Sequence, residues 1–443
     1  MRIAYVVTQY PPNVSAGLGR YVEEITPHLA ERLELTVYTV NNGHQPVYER
    51  QGTLGVYRPL GRLLGAAIRR RRRNSTRRAD FVLLAAHVVA SNWRYVRRLR
   101  RTNRPDRPDL VVLHDSTNFL CGLMCHYLLR LPVVLHIHTT EHGTARRRRG
   151  LAALLGVLAG VEQWLGRIAR RVVVATPEMR DHLVSAGWRP AVIDVVGLGG
   201  TFERILADPG FDRDGLRAGA AALRARLRIG AADPVLLFVG RLVPHKGIYQ
   251  LLAAMPRIAA AVPGLRLVVV GDGDHAGVQR VVAQTGLVGR VLSSGGFVER
   301  PALLAYYQLA DACVFPSTFE PFGLVATEAM ALGRPTILGD GFPRVFLGDP
   351  DRPAVRYLRS ADPDELARTV TAVMTDPALR AALAERGERF ARERLSWART
   401  AEETLAVYRA ALASATRPTS ASAPALARAG SRRRPAPRPG RRR

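Results

Sequence analysis

Short, almost wholly apolar runs rich in β-branched residues recur along this chain, separated by stretches of helix length. Ile3–Thr8, Leu35–Val40, Leu110–Leu113, Val133–Ile137, Val172–Ala175 and Val192–Val196 form a first series. A strand apolar at every position, rather than at every second one, is covered on both faces, as in a parallel sheet between two helix layers. The first intervening helix is expected to end over Pro27–Arg32, and Glu178–Ala186 is another, closed by Gly187. The rhythm then restarts with Val235–Val239, Leu265–Val270, Val291–Ser293, Ala312–Phe315 and Thr336–Leu338. Between the series lies Gly200–Asp233, polar and rich in Ala and Arg, suited to a linker and one helix. The expected fold class is therefore α/β, with two doubly wound domains in succession. Ligands of such sheets bind beyond the carboxyl ends of the strands, so a cleft between facing domains is the expected site.

The formal net charge is +28 over 443 residues, and it is unevenly placed. Ala415–Arg443 holds nine arginines and no acid, and its Ala, Ser and Pro content predicts a disordered tail. Arg58–Arg107 adds sixteen arginines against Asp80 and Asp106, and Arg146–Arg149 follow. These runs lack interleaved aromatic platforms and zinc-finger spacing, which argues against nucleic acid as a partner. Two readings stay open. One is a peripheral contact with an anionic membrane, where each nearby cation contributes about 1 kcal/mol. The other is compositional drift on a solvated face, which explains the preference for arginine but not its clustering.

No run reaches the roughly 20 apolar residues that a membrane span requires; Phe81–Ala90 and Leu151–Val161 are both too short. The opening residues Met1–Val7 read as a first strand rather than a signal peptide. Three cysteines are too few for a disulfide framework. Cys121, Cys125 and His126 offer metal-ligand types, but their apolar surroundings favour a buried helix face. The expected location is cytoplasmic, with the inner face of the plasma membrane as the peripheral option.

Of the 65 Lys and Arg residues, a single one is lysine, Lys246. It stands in Gly240-Arg241-Leu242-Val243-Pro244-His245-Lys246-Gly247, directly after an apolar run. A compact ammonium on a flexible stem is not interchangeable with a guanidinium, so its retention here marks an anion cradle at a strand end. Further along, Phe315-Pro316-Ser317-Thr318-Phe319-Glu320-Pro321-Phe322-Gly323-Leu324 leads into Val325–Leu332, with Gly333 and Pro335 closing the helix. Gly323 permits close backbone approach, and a helix start offers unpaired N–H groups to a phosphate. Glu320 precedes the helix and Glu328 lies one turn beyond Leu324, so both carboxylates can face one ligand at different heights. A carboxylate is a good acceptor for a sugar diol.

This segment resembles the Glu-x7-Glu motif of retaining, nucleotide-sugar-dependent glycosyltransferases of family 4, which have the GT-B fold. The match runs over some twenty positions through Glu320, Gly323, Leu324 and Glu328. The resemblance implies two facing Rossmann-like domains: 1–200 for the acceptor and 201–395 for the nucleotide sugar. A helix over 396–414 would pack back toward the first domain. It implies that Glu320 contacts donor-sugar hydroxyls, that Glu328 holds the ribose diol, and that the Gly323 and Leu324 amides meet the phosphates. Gly240-Arg241-Leu242-x-x-x-Lys246-Gly247 is similar to the family's diphosphate clamp, so Arg241 and Lys246 would neutralise the departing nucleoside diphosphate without a metal. Asp272-Gly273-Asp274 resembles the ordinary strand-end turn, and two aspartates are an incomplete ligand set. Gly17 and Gly19, after strand one, would face the donor phosphate from the opposite domain. His138, ending Val133–Ile137, matches the residue that orients the donor sugar and is not a nucleophile.

The resemblance covers Arg2 to about Leu412. It departs at Gly197-Leu198-Gly199-Gly200-Thr201, where the family has Pro-Asn-Gly-x-Asp, and at Gly339-Asp340-Gly341-Phe342-Pro343-Arg344, where arginine replaces a glutamate; the region after Pro343 is also compressed. The expected enzyme moves a hexosyl group from a UDP- or GDP-sugar to a glycan, lipid-linked or small-molecule hydroxyl and needs no cofactor. The alternatives are a GT-B nucleotide-sugar 2-epimerase, a pyridoxal-phosphate phosphorylase with Lys246 as Schiff base, and a non-catalytic basic membrane-binding protein.

Overall fold

The computed structural model describes residues 1–12, 14, 17–41, 45–59, 78–114, 116–139 and 152–416. Asn13, Ser15 and Ala16 of the glycine loop, Arg69–Arg73, Thr140, Glu141, Arg146–Arg149, Leu151 and the tail beyond Thr416 lie outside the described residues.

Two sheets form where the two series of apolar runs predict them. The first has eight strands: β1 (Arg2–Val6), β2 (Glu34–Tyr38), β3 (Tyr48–Gln51), β4 (Leu54–Tyr57), β5 (Leu110–His114), β6 (Val133–Ile137), β7 (Arg171–Val174) and β8 (Ile193–Val195). Their order is β3-β4-β2-β1-β5-β6-β7-β8, parallel apart from the β3–β4 hairpin. The second sheet is parallel and has six: β9 (Val235–Val239), β10 (Arg266–Val270), β11 (Val291–Ser293), β12 (Ala312–Phe315), β13 (Thr336–Leu338) and β14 (Arg356–Tyr357), ordered β11-β10-β9-β12-β13-β14. Every residue of β5, β6 and β12 is buried, the consequence of helices on both faces.

In each sheet the strand order reverses beside the first strand, between β1 and β5 and between β9 and β12. Loops diverge at such a switch point and open a crevice at the carboxyl edge. The Gly17 loop follows β1, His114 ends β5, Arg241 and Lys246 follow β9, and Glu320 follows β12. Topology thus sends the residues singled out in the sequence toward the openings of the two sheets.

The helix Gly17–Ala30 buries Tyr21, Val22, Ile25 and Leu29 on one face, a helical stripe against the first sheet. The last described helix, Trp397–Thr416, packs against it. The chain therefore crosses between sheets near Gly197–Thr201 and returns at Trp397. The Trp397 indole Nε1–H donates to the Gly200 carbonyl at 2.9 Å, its backbone N–H to Glu203 Oε2 at 2.7 Å, and the Thr400 hydroxyl to the Gly197 carbonyl at 2.8 Å. A Cβ on Gly199 would overlap the Trp397 ring. The glycine-rich crossing, one departure from the family pattern, is thus the seat of a fully buried tryptophan.

Among the described residues no helix is long and apolar enough to cross a membrane. Cys121 and Cys125 are buried in the core of the first sheet, and the His126 ring stands edge-on against Tyr127.

Candidate active site

The two loops of the second sheet are tied together by backbone. The Thr318 N–H donates to the His245 carbonyl at 3.0 Å, so the Glu320 loop rests on the turn that carries Lys246. That turn is a single 3-10 loop, Pro244–Lys246, ended by Gly247 at φ 78°. A Cβ there would strike the Pro316 carbonyl, so the close approach of the two loops admits only glycine. The outcome is direct: Lys246 Nζ donates to Glu320 Oε2 as an ion pair. Glu320 is fixed from its other side as well, its N–H donating to the Gly341 carbonyl at 2.9 Å. Gly341 in turn donates to the Ser317 carbonyl at 3.1 Å. Arg241 lies exposed just beyond β9.

Gly323 has φ 98° and directly precedes the helix Leu324–Ala331. Its left-handed backbone turns the chain into the helix, and a Cβ there would collide with the Phe342 ring. A Cβ on Gly17, the first residue of its helix, would sit 3.8 Å from Leu324 Cδ1. The first residues of two helices, one from each domain, therefore lie close together across the cleft. A helix start carries unpaired N–H groups and the positive end of its dipole, which suits an anion. Gly19 fits tightly inside its own loop, where a Cβ would lie 2.9 Å from Gln9 Oε1 and 3.1 Å from Val14 Cγ1.

Glu328 is buried and accepts the Tyr307 hydroxyl at 2.7 Å. Burial raises its pKa to about 6, opposed by the Tyr307 hydrogen bond and by the charges of Arg300 and Arg20. The same Arg300 pairs with the buried Glu24 on the opposing helix, with Glu23 Oε2 3.8 Å away. A buried ion pair therefore spans the two halves beside Glu328. The Arg344 backbone N–H makes a further cross-cleft bond, to Glu178 Oε1 at 2.7 Å. The Arg344 guanidinium lies over the Tyr357 ring, 4.2 Å from its centre. The arginine that replaces a glutamate of the family pattern is thus engaged with the aromatic ring of β14.

His138 follows β6, part-exposed, and its Nε2 lies 2.9 Å from His114 Nδ1. His136 sits behind it, between the hydroxyls of Tyr21 at 3.4 Å and Tyr408 at 3.0 Å. Burial holds His138 down to about 4 and His114 and His136 well below their ordinary value, so all three rings are neutral near pH 7. A neutral imidazole donates and accepts hydrogen bonds, as orientation of a sugar requires. Asp272 Oδ1 accepts the Gly273 N–H at 2.9 Å, while Asp274 caps the helix His275–Gln284 and takes the Tyr249 hydroxyl at 2.6 Å. Both carboxylates serve the turn.

Several residues at this site escape a reading of the sequence alone. Tyr307 and Arg300, on the helix Arg300–Leu309, carry no motif. His114 reads as the residue after an apolar run, and only the β5–β6 register places it beside His136.

Two family models divide the chain: Glycosyltransferase Family 4 matches residues 15–199 and Glycosyl transferases group 1 matches residues 220–390. Over 438 residues the chain is 32% identical to glycogen synthase of Mycobacterium tuberculosis, covering 93% of this chain and 95% of that one. Among solved structures it is similar to sucrose-phosphate synthase from Thermosynechococcus elongatus (TM-score 0.70, 22% identity, 93% and 99% covered). It is also similar to Anabaena HepE in complex with UDP and glucose (TM-score 0.64, 19% identity, 92% and 99% covered). At these identities the structures speak for the fold, which is GT-B. With motif, fold and sequence relatives in agreement, the chain belongs to glycosyltransferase family 4 (group 1), enzymes that transfer a sugar from a nucleotide-sugar donor.

Proposed function

We propose that this enzyme is a retaining hexosyltransferase that takes its sugar from a UDP- or GDP-sugar and delivers it to a hydroxyl acceptor, without a metal ion. The acceptor is a glycan, a glycolipid or a small molecule held by the amino-terminal half. The observation that carries the reading is the approach of the Gly17 helix start to Leu324, whose preceding loop holds Glu320 paired with Lys246. A diphosphate placed there receives N–H groups from Gly17, Gly19, Gly323 and Leu324, and the charges of Arg241 and Lys246. In the reaction the anomeric C–O bond to the diphosphate breaks and its electron pair leaves with the phosphate oxygen. The acceptor oxygen bonds to the anomeric carbon, and its proton passes to the departing diphosphate. Fixed cations and helix dipoles stabilise the charge that builds there. Glu320 and His138 orient the sugar, and Glu328 takes the ribose diol.

Dye-monitored melting against UDP, GDP, ADP and their sugars tests the donor side. A ligand at 100 times its dissociation constant adds about 2.7 kcal/mol of stability. A shift with a uridine or guanosine diphosphate and its sugar, followed by sugar release or transfer, is expected. A panel without any shift overturns the reading.

On the acceptor side the proposal extends to peripheral docking on the cytoplasmic face of an anionic membrane. Arg94, Arg97, Arg98 and Arg101 share one face of the helix Arg78–Arg101 and, with Tyr57, Pro59 and Thr102, line a cavity of about 540 Å³. None of these four arginines forms an ion pair with a carboxylate among the described residues. Trp93 and Val89 are exposed on the same helix.

A further inference from the structure

Three histidines converge on the carboxyl edge of the first sheet. His114 and His136 are Cα partners across β5 and β6, and His138 follows two residues on. Alternate residues of a strand project to one face, and cross-strand partners stand beside each other there. The rings are accordingly grouped, with centroids 4.6 Å apart for His114 and His136 and 5.2 Å apart, stacked, for His114 and His138. One nitrogen from each of the three can be chosen so that all lie within 4.8 Å of one another.

The donor set has a definite preference. Three imidazoles without a carboxylate suit a borderline-soft ion such as Zn²⁺, whereas Mg²⁺ and Ca²⁺ require oxygen ligands. The nitrogen of His114 that meets His138 is Nδ1, while Nε2, on the far side of the ring, is buried with no hydrogen-bond partner among the described residues. When His136 donates Nε2–H to Tyr408, its Nδ1 carries the lone pair, the way a second-shell contact fixes a ligand's tautomer.

We propose that His114, His136 and His138 form a site for one zinc-class divalent ion, and that filling it stops sugar transfer. Tetrahedral ligation at about 2.0–2.1 Å places neighbouring nitrogens about 3.3 Å apart. The His114–His138 pair, at 2.9 Å, needs only to open by a few tenths of an ångström, while His136 closes in by side-chain rotation. The hydrogen bond between His114 and His138 and the long 3.4 Å contact from Tyr21 are the contacts given up. The ion enters on the cleft side, where His138 alone of the three is part-exposed. The binding claim stands apart from the proposed donor chemistry. The inhibition rests on His138 as a sugar-orienting residue, because a ligated imidazole can no longer meet a hydroxyl.

Metal-free full-length protein titrated calorimetrically with Zn²⁺, and followed by visible absorption with Co²⁺, provides the test. One ion per chain is expected, with the intense d–d bands of a four-coordinate cobalt site, no heat from Mg²⁺, and transfer lost on zinc addition and restored by EDTA. His114→Ala and His138→Ala should each weaken zinc by more than the 10- to 100-fold typical of losing a second-shell partner. The second variant, at the part-exposed ring, keeps the test decisive should the first fail to fold. Absence of zinc binding, or equal binding by a folded His138→Ala variant, overturns the site and leaves the donor reading intact. Zinc bound at the histidines with transfer unchanged overturns the inhibition and removes His138 from the donor site.

Discussion

Lys246 and Glu320, separated by 74 positions in sequence, form an ion pair in which the two side chains are 19% and 11% exposed. Each is the other's counter-charge, so the site is assembled before a donor arrives. In the proposed reaction a diphosphate would compete for the ammonium and release the carboxylate toward the sugar.

Glu320→Gln therefore separates binding from turnover. Without its carboxylate partner Lys246 is left fully available, so UDP or GDP should bind as tightly as to wild type or several-fold tighter in calorimetry. Transfer should fall about 100- to 1,000-fold, the typical effect of removing one preorganised electrostatic contact. Equal losses of nucleotide affinity and turnover would show that Glu320 serves the nucleotide rather than the sugar.

Lys246→Ala and Arg241→Ala should each lower turnover about 100- to 1,000-fold. Their stability effects should diverge. Arg241 is exposed, and its loss should change stability by under about 0.5 kcal/mol. Lys246→Ala strands the Glu320 carboxylate and should cost about 1–3 kcal/mol. Thermal melts beside initial rates decide the matter, and near-wild-type turnover in both variants sinks the diphosphate assignment.

Much of the candidate site is legible in the sequence, because its parts carry local signals. Apolar runs marked the strands, and the Glu320–Glu328 segment carried a turn, a glycine and a helix stop in one stretch. The β3–β4 hairpin was not legible, since Tyr48–Gln51 is exposed throughout and shows no apolar alternation. Nor were the partners that arrive from afar. Tyr408 lies 272 positions from His136, and Arg300 lies 276 from Glu24. Such pairs are set by strand register and domain crossing, which leave no periodic trace in either segment.

Glu328 gives the site a pH dependence. Its folded pKa of about 6 stands above the ordinary 4.5, so the native state binds the proton more tightly than the unfolded chain. The stabilisation is full below pH 4.5 and is lost as pH rises through 6, a difference of about 2 kcal/mol. Glu328→Gln should thus gain stability relative to wild type between pH 5 and pH 7.5. Donor affinity should run the opposite way, weakening in wild type below pH 6 as the diol acceptor is protonated, and staying flat in the variant. Parallel melts and donor titrations test this; a variant with the wild-type pH profile refutes it.

Activity should persist in excess EDTA, because cations and helix starts supply the charge stabilisation for the leaving diphosphate. Initial rates with and without chelator, then with Mg²⁺ or Mn²⁺ restored, check it. A rate abolished by chelation and rescued by Mg²⁺ would mean that the ion, rather than Lys246 and Arg241, carries the leaving-group charge.

The last prediction concerns the basic face of the first domain. Arg94, Arg97, Arg98 and Arg101 border one cavity, Arg100 joins Trp93, Arg97 and Arg101 around a second, and Trp93 is 57% exposed. Arg98 is braced rather than loose, lying over the rings of Tyr48 and Tyr57 at 4.4 and 4.5 Å. Cations without carboxylate partners among the described residues, beside an exposed indole, match the headgroup region of an anionic bilayer, where charge and an amphipathic ring are both accommodated. The full chain should pellet with phosphatidylglycerol vesicles and stay in solution with phosphatidylcholine, and its binding should weaken steeply with salt. A variant carrying Arg94→Glu, Arg97→Glu and Arg101→Glu should lose the association while keeping its nucleotide-induced melting shift. Deletion of Ala415–Arg443 should leave it in place. Pelleting that follows the tail alone would assign the membrane contact to those last arginines, and the helix face would then be an ordinary solvated one.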